Sequence, residues 1–356
     1  MGDIMIKVKH LQLIIRIGDK ELSPLEFDSL LIKEGILFVP ICEIHFRSMS
    51  FDFLKFKSGT KIEISYSFMD NPFVKLEFVL NNIIIDSLNI KEINYIVSGI
   101  LSLDKFLTEI KQEIKEKKTL KEVITSFNNI KVKWDSSLDS DDKQNWIRYN
   151  LSEFMWLKSI LPFINLKNDT PLLCLTKHRE IKMVALKERL DKPPKAKLFL
   201  TKTKLGDNEY QIHQFRYETD NSFKFLFPKG SYIKVYDYLT KKAKNQPMEV
   251  DSDFEVKAMR KTHIWLGNTY KEYWKTKIRN ISNWVDFLSE NVIITLSQGW
   301  IPDDKLDLLD TFLLQIDSDR YQSVDKINKK WVITQKQLII NSDSTISYKI
   351  IGNTLR

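Results

Sequence analysis

Few residues in this chain could do chemistry, and the first set to weigh is Asp237 followed by Glu255-Val256-Lys257. An upstream Asp with a Glu-x-Lys on a strand can hold Mg²⁺ for phosphodiester hydrolysis. The same Glu-x-Lys spacing recurs at Glu109/Lys111, Glu113/Lys115 and Glu180/Lys182, as chance dictates in so lysine-rich a chain, and it singles out no site. The 5 histidines, at positions 10, 45, 178, 213 and 263, show neither HExxH nor His-x-His spacing, so a metal would have to be gathered wholly by tertiary contact. GxGxxG and the GxxxxGK(S/T) loop are both missing, and 10 scattered glycines do not build a phosphate cradle. The GxSxG elbow of Ser hydrolases is missing too. Cys42 and Cys174 each sit in an apolar stretch outside any CxxC pair, which reads as two buried, reduced thiols in a chain made in a reducing cytoplasm. Trp146, Trp156, Trp265 and Trp274 read as anchors of cores or subunit contacts rather than as base-stacking platforms. No catalytic residue, cofactor-binding residue or metal ligand is assigned, and the expectation is a protein that is not an enzyme.

The elements around these residues must therefore explain the chain. Its 356 residues suffice for two or three domains, and 43% hydrophobic with 29% charged residues suits packed cores rather than disorder. The best apolar run, Gly35 to Ile44, is far short of a membrane span and contains Pro40, Cys42 and Glu43. No export signal is expected, and Ile6 stands where myristoylation wants Ser or Thr. The net charge of +8 invites nucleic acid, yet of 55 basic residues only 10 are arginine, at 16, 47, 148, 179, 189, 216, 260, 279, 320 and 356. Bidentate readout favours the Arg fork, so solvated lysine faces account for the excess.

The first hundred residues read as about six strands, Leu11 to Ile17, Ser29 to Lys33, Ile41 to Arg47, Lys61 to Phe68, Val74 to Leu80 and Asn94 to Ile100, divided by turns such as Gly18, Ser58-Gly59 and Asp70-Asn71-Pro72. Alternation places Ile44, Phe46, Ile62, Ile64, Leu76 and Phe78 inward. From Ser102, the spacing of Leu103, Phe106, Leu107, Ile110 and Ile114 predicts one amphipathic helix. A second is expected at Thr119 to Phe127, with Thr119 and Glu122 at capping-box spacing, then a strand at Ile130 to Trp134, a polar loop from Ser136 to Lys143, and a third helix capped by Ser152 and ending near Phe163. Strands follow at Leu172 to Thr176 and Ile181 to Leu186, and Pro193-Pro194 marks the best domain boundary. Beyond it, strands are expected at Lys197 to Lys202, Tyr210 to Tyr217, Phe223 to Phe227 and Tyr232 to Tyr238, then a polar stretch over Lys241 to Asp253. An aromatic, partly helical segment spans Trp265 to Leu288, with Tyr270, Trp274, Ile278, Ile281 and Val285 at helical spacing. Closing strands are Val292 to Leu296, Thr311 to Gln315, Trp331 to Ile340 and Thr345 to Ile351.

Three stretches carry a resemblance. Ile17-Gly18-Asp19-Lys20, Phe27 through Glu34, Cys42 through Phe46 and Ser58-Gly59-Thr60-Lys61-Ile62-Glu63-Ile64 are similar to the first barrel of the baseplate hub proteins of long-tailed phages, a family related to the spike base of type VI secretion spikes. Thr119 through Ile124, Gln144-Asn145-Trp146-Ile147, Asn150, Ser152 and Leu157 look like its connecting region. Tyr321, Trp331-Val332-Ile333 and Ser347-Tyr348-Lys349-Ile350 are similar to the last strands of its second barrel. Two departures stand out: no His lies among Thr334 to Leu338, and Lys241 to Leu288 matches no hub motif.

The resemblance implies an α+β, mainly β chain, with two small antiparallel β-barrels joined by a helical and mixed region. Residues 1–100 would be a first tail-tube-like barrel, 101–192 the connecting region, and 193–356 a second barrel with an insertion around 241–290. It further implies a structural virion protein of the tail baseplate, synthesised in the bacterial cytoplasm and assembled as a homotrimer. Its partners would be the tail tube protein, the central spike protein and other baseplate proteins, with DNA passing through the lumen without sequence-specific binding. The alternative class is a nucleic-acid-binding or Mg-dependent nuclease protein, whose binding would collapse steeply with salt or whose cleavage would need metal.

Overall fold

The computed structural model describes residues 6–7, 11–68, 71–127, 130–140, 143–200, 205–219, 232–237, 242–247, 262–266, 273–297, 301–317 and 324–355. After the short β1 (Ile6–Lys7), the N-terminal strands are β2 (Leu11–Ile17), β3 (Lys20–Glu21), β4 (Phe27–Ile36), β5 (Ile41–Ser48), β6 (Lys61–Phe68), β7 (Val74–Leu88) and β8 (Ile93–Leu101). They pair antiparallel in the order β2-β6-β7-β8-β5-β4. The period of two turns one face inward, and all six residues expected there are buried: Ile44, Phe46, Ile62, Ile64 and Phe78 at 0% and Leu76 at 4% exposure. Phe46 stacks on Tyr95 with centroids 5.1 Å apart and meets Phe53 edge-on at 4.6 Å, which plugs one end of the sheet. Gly99 is required by close approach, because a Cβ there would lie 2.9 Å from Cys42 Sγ and 3.2 Å from Phe78 Cβ.

No ladder among the described residues joins β2 to β4. Instead β4 carries β5 on one edge and a C-terminal strand, β21, on the other, so the N-terminal sheet runs on into the C-terminal half.

The middle region contains α1 (Asp104–Thr108), β9 (Lys111–Lys118), α2 (Leu120–Ile124), β10 (Lys131–Trp134), β11 (Gln144–Leu151), α3 (Glu153–Ile160), β12 (Pro171–Leu175), β13 (Glu180–Ala185) and α4 (Leu186–Asp191). The helix expected from Ser102 to Ile114 is corrected here. Leu103 and Phe106 are buried as its apolar face requires, but the helix stops at Thr108 and the chain turns into β9, which pairs antiparallel with β11. Gln112/Ile114 against Glu113/Lys115 also fits a period of two, and the available strand partner decides between the readings. The capping box is present: Glu122 N donates to Thr119 Oγ1, and Thr119 N donates to the Glu122 carboxylate. Ser152 likewise caps α3 by accepting from Met155 N. Phe106, Phe127, Phe154, Trp146 and Trp156 form the aromatic core of this region, and both tryptophans are buried as expected. The β12–β13 hairpin binds parallel β10 on one side and touches β4 on the other through Cys174↔Ile36.

Beyond Pro193-Pro194 lie β14 (Ala196–Phe199), β15 (Glu209–Thr219), β16 (Tyr232–Asp237), β17 (Lys242–Pro247), β18 (Thr262–Leu266), α5 (Tyr273–Leu288), β19 (Glu290–Leu296), β20 (Thr311–Gln315), β21 (Lys330–Asn341) and β22 (Thr345–Asn353). Six of these close into a ring, β14-β15-β19-β22-β21-β20 and back to β14. Its core holds Leu198, Phe312, Leu314, Trp331 and Ile350, all at 0% exposure. The barrel is mixed rather than antiparallel, because β14 runs parallel to both β15 and β20; arriving from a domain crossing, β14 fills a gap that a hairpin-connected strand would enter in the other sense. The polar stretch expected over Lys241 to Asp253 contains a strand, β17, which joins β16 and β18 in a separate three-stranded sheet. Backbone pairing carries a polar sequence there as readily as an apolar one. Phe223 to Phe227, Tyr270 and Tyr321 lie outside the described residues.

Candidate functional site

Among the described residues the densest chemistry is a buried charge network where the three regions meet. Lys336 on β21 stands directly across from Glu34 on β4, and both side chains point into the junction. The Lys336 ammonium, 2% exposed, donates to Asp307 Oδ1 at 2.7 Å and also to Asp303 Oδ1. Lys177, at the tip of the β12–β13 hairpin, reaches Asp303 Oδ2 at 2.9 Å and Glu34 Oε2 at 3.4 Å, and its backbone N–H donates to Glu34 Oε1 at 2.7 Å. Lys182 on β13 pairs with Asp307 Oδ2. His178 Nε2 lies 2.7 Å from Asp303 Oδ2. A satellite cluster follows: Asp310 accepts from Arg189 Nη2 at 2.6 Å and Lys195 Nζ at 2.7 Å, and Arg189 Nη1 donates to Asp135 at 2.9 Å.

Three lysines thus face three carboxylates, Glu34, Asp303 and Asp307, in a dry setting. Burial alone would raise the Asp303 carboxyl, but the Lys336 and Lys177 charges hold it well below the usual range, and Asp307 is held at about 2 against the same burial by Lys336 and Lys182. Burial would lower Lys336, yet Asp303, Tyr348 and Asp307 push it well above an ordinary ammonium. Every carboxylate is saturated by cations, so the cluster offers no free base, and among the described residues no group of three His, Cys, Asp or Glu could hold a metal. Its effect is mechanical. It ties β4, the β12–β13 hairpin, the Asp303–Asp310 loop and β21 together at one point, and a network of this kind is costly to break.

Two other features face solvent. Beyond Leu80, β7 continues as a ribbon paired with β8, leaving Ile84 (47%), Leu88 (62%) and the turn residue Ile90 (105%) exposed. A cleft of about 510 Å³ opens over β2, β6 and β7, lined by Arg16, Glu63, Lys75, Glu77, His178 and Arg179. Several of its charges are already paired, Arg179 and Lys61 both with Glu77 at 3.1 Å.

The residues weighed at the outset do not converge. Asp237 ends β16, its side chain lies outside the described residues, and so do Glu255 and Lys257. Glu109 pairs with Lys111 at 2.9 Å, Glu113 with Lys115 at 3.6 Å and Glu180 with Lys131, as ordinary surface contacts. His45 contacts Glu43 at 2.7 Å, far from the hairpin that carries His178; His213 is exposed on β15, His10 lies outside the described residues, and so does the side chain of His263. Cys42 and Cys174 are buried free thiols, and burial raises both, Cys42 to about 12, so neither is a nucleophile. The side chains of Trp265 and Trp274 lie outside the described residues. Among the described residues no helix is long and apolar enough to cross a membrane. The junction residues were missed because a buried lysine in a lysine-rich chain has no motif; the available signal was phase, since Lys336 shares its parity with Leu338 and Ile340, and Glu34 with Leu30 and Ile32.

A curved β-sheet welded through one strand to a closed six-stranded barrel is the fold of phage tail proteins. The chain superposes over 97% of its length on 97% of a tail protein from Neisseria meningitidis MC58, with a TM-score of 0.60 and 12% identity. It covers 98% of the 43 kDa tail protein of prophage MuSo2 from Shewanella oneidensis with 96% of its own length, at a TM-score of 0.58 and 12% identity. The Escherichia coli c3393 protein, a type VI secretion component described as similar to the T4 tail proteins gp27 and gp5, matches 95% of this chain with 76% of its own, at a TM-score of 0.52 and 8% identity. No family model matches the chain, and no curated protein matches it in sequence. The mainly β class and one closed six-stranded barrel agree with what the hub resemblance implied.

Proposed function

We propose that this chain is a structural protein of a phage-type tail, seated in the baseplate hub between the tail tube and the central spike. The observation that carries the reading is the near-full-length match in fold to the solved chains of two tail proteins. In this reading residues 1–100 act as the first tail-tube-like unit, 101–192 as the connector and 193–356 as the second unit, the closed barrel with its insertion. Three copies then alternate six such units around one axis, which adapts a sixfold tube to a threefold spike and encloses a channel for DNA. The junction network supports it physically, because a part that transmits load between two barrels needs them locked in register. The exposed apolar β7–β8 ribbon supports assembly, since such surface is normally covered in the working state. The protein resides in the virion after synthesis in the bacterial cytoplasm, with tube, spike and other baseplate proteins as partners.

Fractionating purified particles checks this. The chain is expected in the tail fraction at three copies per tail, and recovery from cytosol alone would end the proposal. The isolated chain is a monomer or a trimer according to whether its partners are present, so solution mass does not decide. The same reading makes the chain non-enzymatic: with Mg²⁺ it should leave plasmid DNA intact, and Glu255→Ala with Lys257→Ala should leave its assembly into tails unchanged. Metal-dependent cleavage abolished by that pair in a folded protein would favour the nuclease alternative.

A further inference from the structure

We infer that the outer face of the β9–β11 ribbon is a docking surface for a partner protein whose contacting surface is an apolar ridge flanked by carboxylates. The ribbon is a two-stranded sheet separate from the main one, and its two faces differ sharply. On the inner face Trp146 is buried with its indole donating to the Lys118 carbonyl at 2.8 Å, and Arg148, 4% exposed, is clamped by Glu113 at 3.1 Å and Glu153 at 3.2 Å. That face is finished. The outer face carries Ile114 and Ile147 directly opposite each other, 61% and 60% exposed. Tyr149, two residues along β11, is 66% exposed; Ile110, just before β9, is 66% exposed.

These four side chains expose on the order of 500 Å², near the top of the ~300–600 Å² of a monomer's largest patch and more than half of the ~800 Å² each partner gives a standard interface. A strand face normally alternates apolar inward with polar outward; here Ile114, Ile147 and Tyr149 stand outward, between the polar Gln112 and Glu116 of β9. Water pays for that arrangement unless something covers it.

Charge selects the occupant. Lys105 stands exposed at one end of the stripe, where Lys111 is already paired with Glu109 at 2.9 Å, and Lys117, Lys118 and Lys121 stand exposed at the other, while Glu116 is the exposed acid of β9. A second copy seated face to face would oppose these lysines to one another, and like charges across an interface cost affinity. A partner with Asp or Glu around an apolar ridge complements both parts. The inference goes beyond the hub reading, which assigns the ring and its tube contact to the barrels and the β7–β8 ribbon and gives the β9–β11 ribbon no partner.

The test replaces Tyr149 with the photo-crosslinker p-benzoylphenylalanine in the full chain, expressed in the producing bacterium during particle assembly. Irradiated cells and purified tails are both digested and sequenced by mass spectrometry. Expected is one dominant adduct to a different polypeptide, on a peptide bearing apolar residues with flanking Asp or Glu. Ile114→Asp with Ile147→Asp should cut its yield at least tenfold, and Lys117→Glu with Lys118→Glu several-fold, while both variants melt as the parent does because the positions are exposed. Adducts only to this same chain, only to lipid, or to nothing overturn the inference, as does a yield that neither variant changes. The hub reading is scored separately by whether the chain itself is in the tails, and the crosslink in cells reads the docking surface even if it is not.

Discussion

Lys336→Ala is expected to lower stability by about 3–5 kcal/mol at neutral pH, the range found when one partner of a buried ion pair is removed and the other is left uncompensated. Lys336 is 2% exposed and is the cation shared by Asp303 and Asp307, so its loss leaves two buried carboxylates with only Lys177 and Lys182 to neutralise them together with Glu34. Lys336→Met keeps most of the stem and should recover little, which separates charge from packing. The pH dependence follows in sign. Asp307 is held at about 2 in the folded chain against an ordinary 3.8, and Asp303 is also held well below its ordinary value by Lys336 and Lys177 against its burial. A depressed folded value stabilises above the unfolded one, and that stabilisation is lost as pH falls from about 4 through about 2. The raised lysines contribute fully at neutral pH and lose their share only in strong alkali. The gap between parent and variant should therefore narrow toward pH 2–3, where the orphaned carboxylates protonate. Urea unfolding at pH 7 and pH 3 measures it, and an equal gap at both would remove charge pairing as the cause.

Phe78→Ala should cost about 3–5 kcal/mol as a core cavity, with Phe46→Ala in the same range. Phe78 is fully buried, and the inward-facing Gly99 lies so close that the wall cannot move into the space without shifting Cys42 and Ile62. Phe46 is held between Tyr95 and Phe53, so its removal empties the same core from the plugged end. Lys75→Ala, one residue before Leu76 and therefore on the opposite face, is the control and should stay within about 0.5 kcal/mol. If Phe78→Ala unfolds at the same urea concentration as Lys75→Ala, the register of β6 against β7 is wrong.

Local pattern was enough wherever one face of an element meets a core. The strand at Lys61–Phe68 ends where its alternation ends, the helix at Leu120–Ile124 begins at the capping box formed by Thr119 and Glu122, and Ser152 starts α3, because these features depend on neighbours within a few residues. The choice between helix and strand at Lys111–Lys118 did not depend on neighbours: both periods fit Ile110, Gln112 and Ile114, and a partner strand some thirty residues on settled it through hydrogen bonds along the Gln144–Leu151 ladder. The mixed barrel was out of reach for the same reason, since nothing in Ala196–Phe199 records that it will lie parallel to Glu209–Thr219 and Thr311–Gln315 at once. The junction network shows the division most clearly. Alternation along Lys330–Asn341 already puts Lys336 on the buried face beside Leu338 and Ile340, and that much is written in the chain. Which carboxylates make such burial tolerable is a matter of long-range geometry, because Glu34, Asp303 and Asp307 come from segments that only folding brings within 4 Å of the lysines, and an ion pair has no periodicity to announce it.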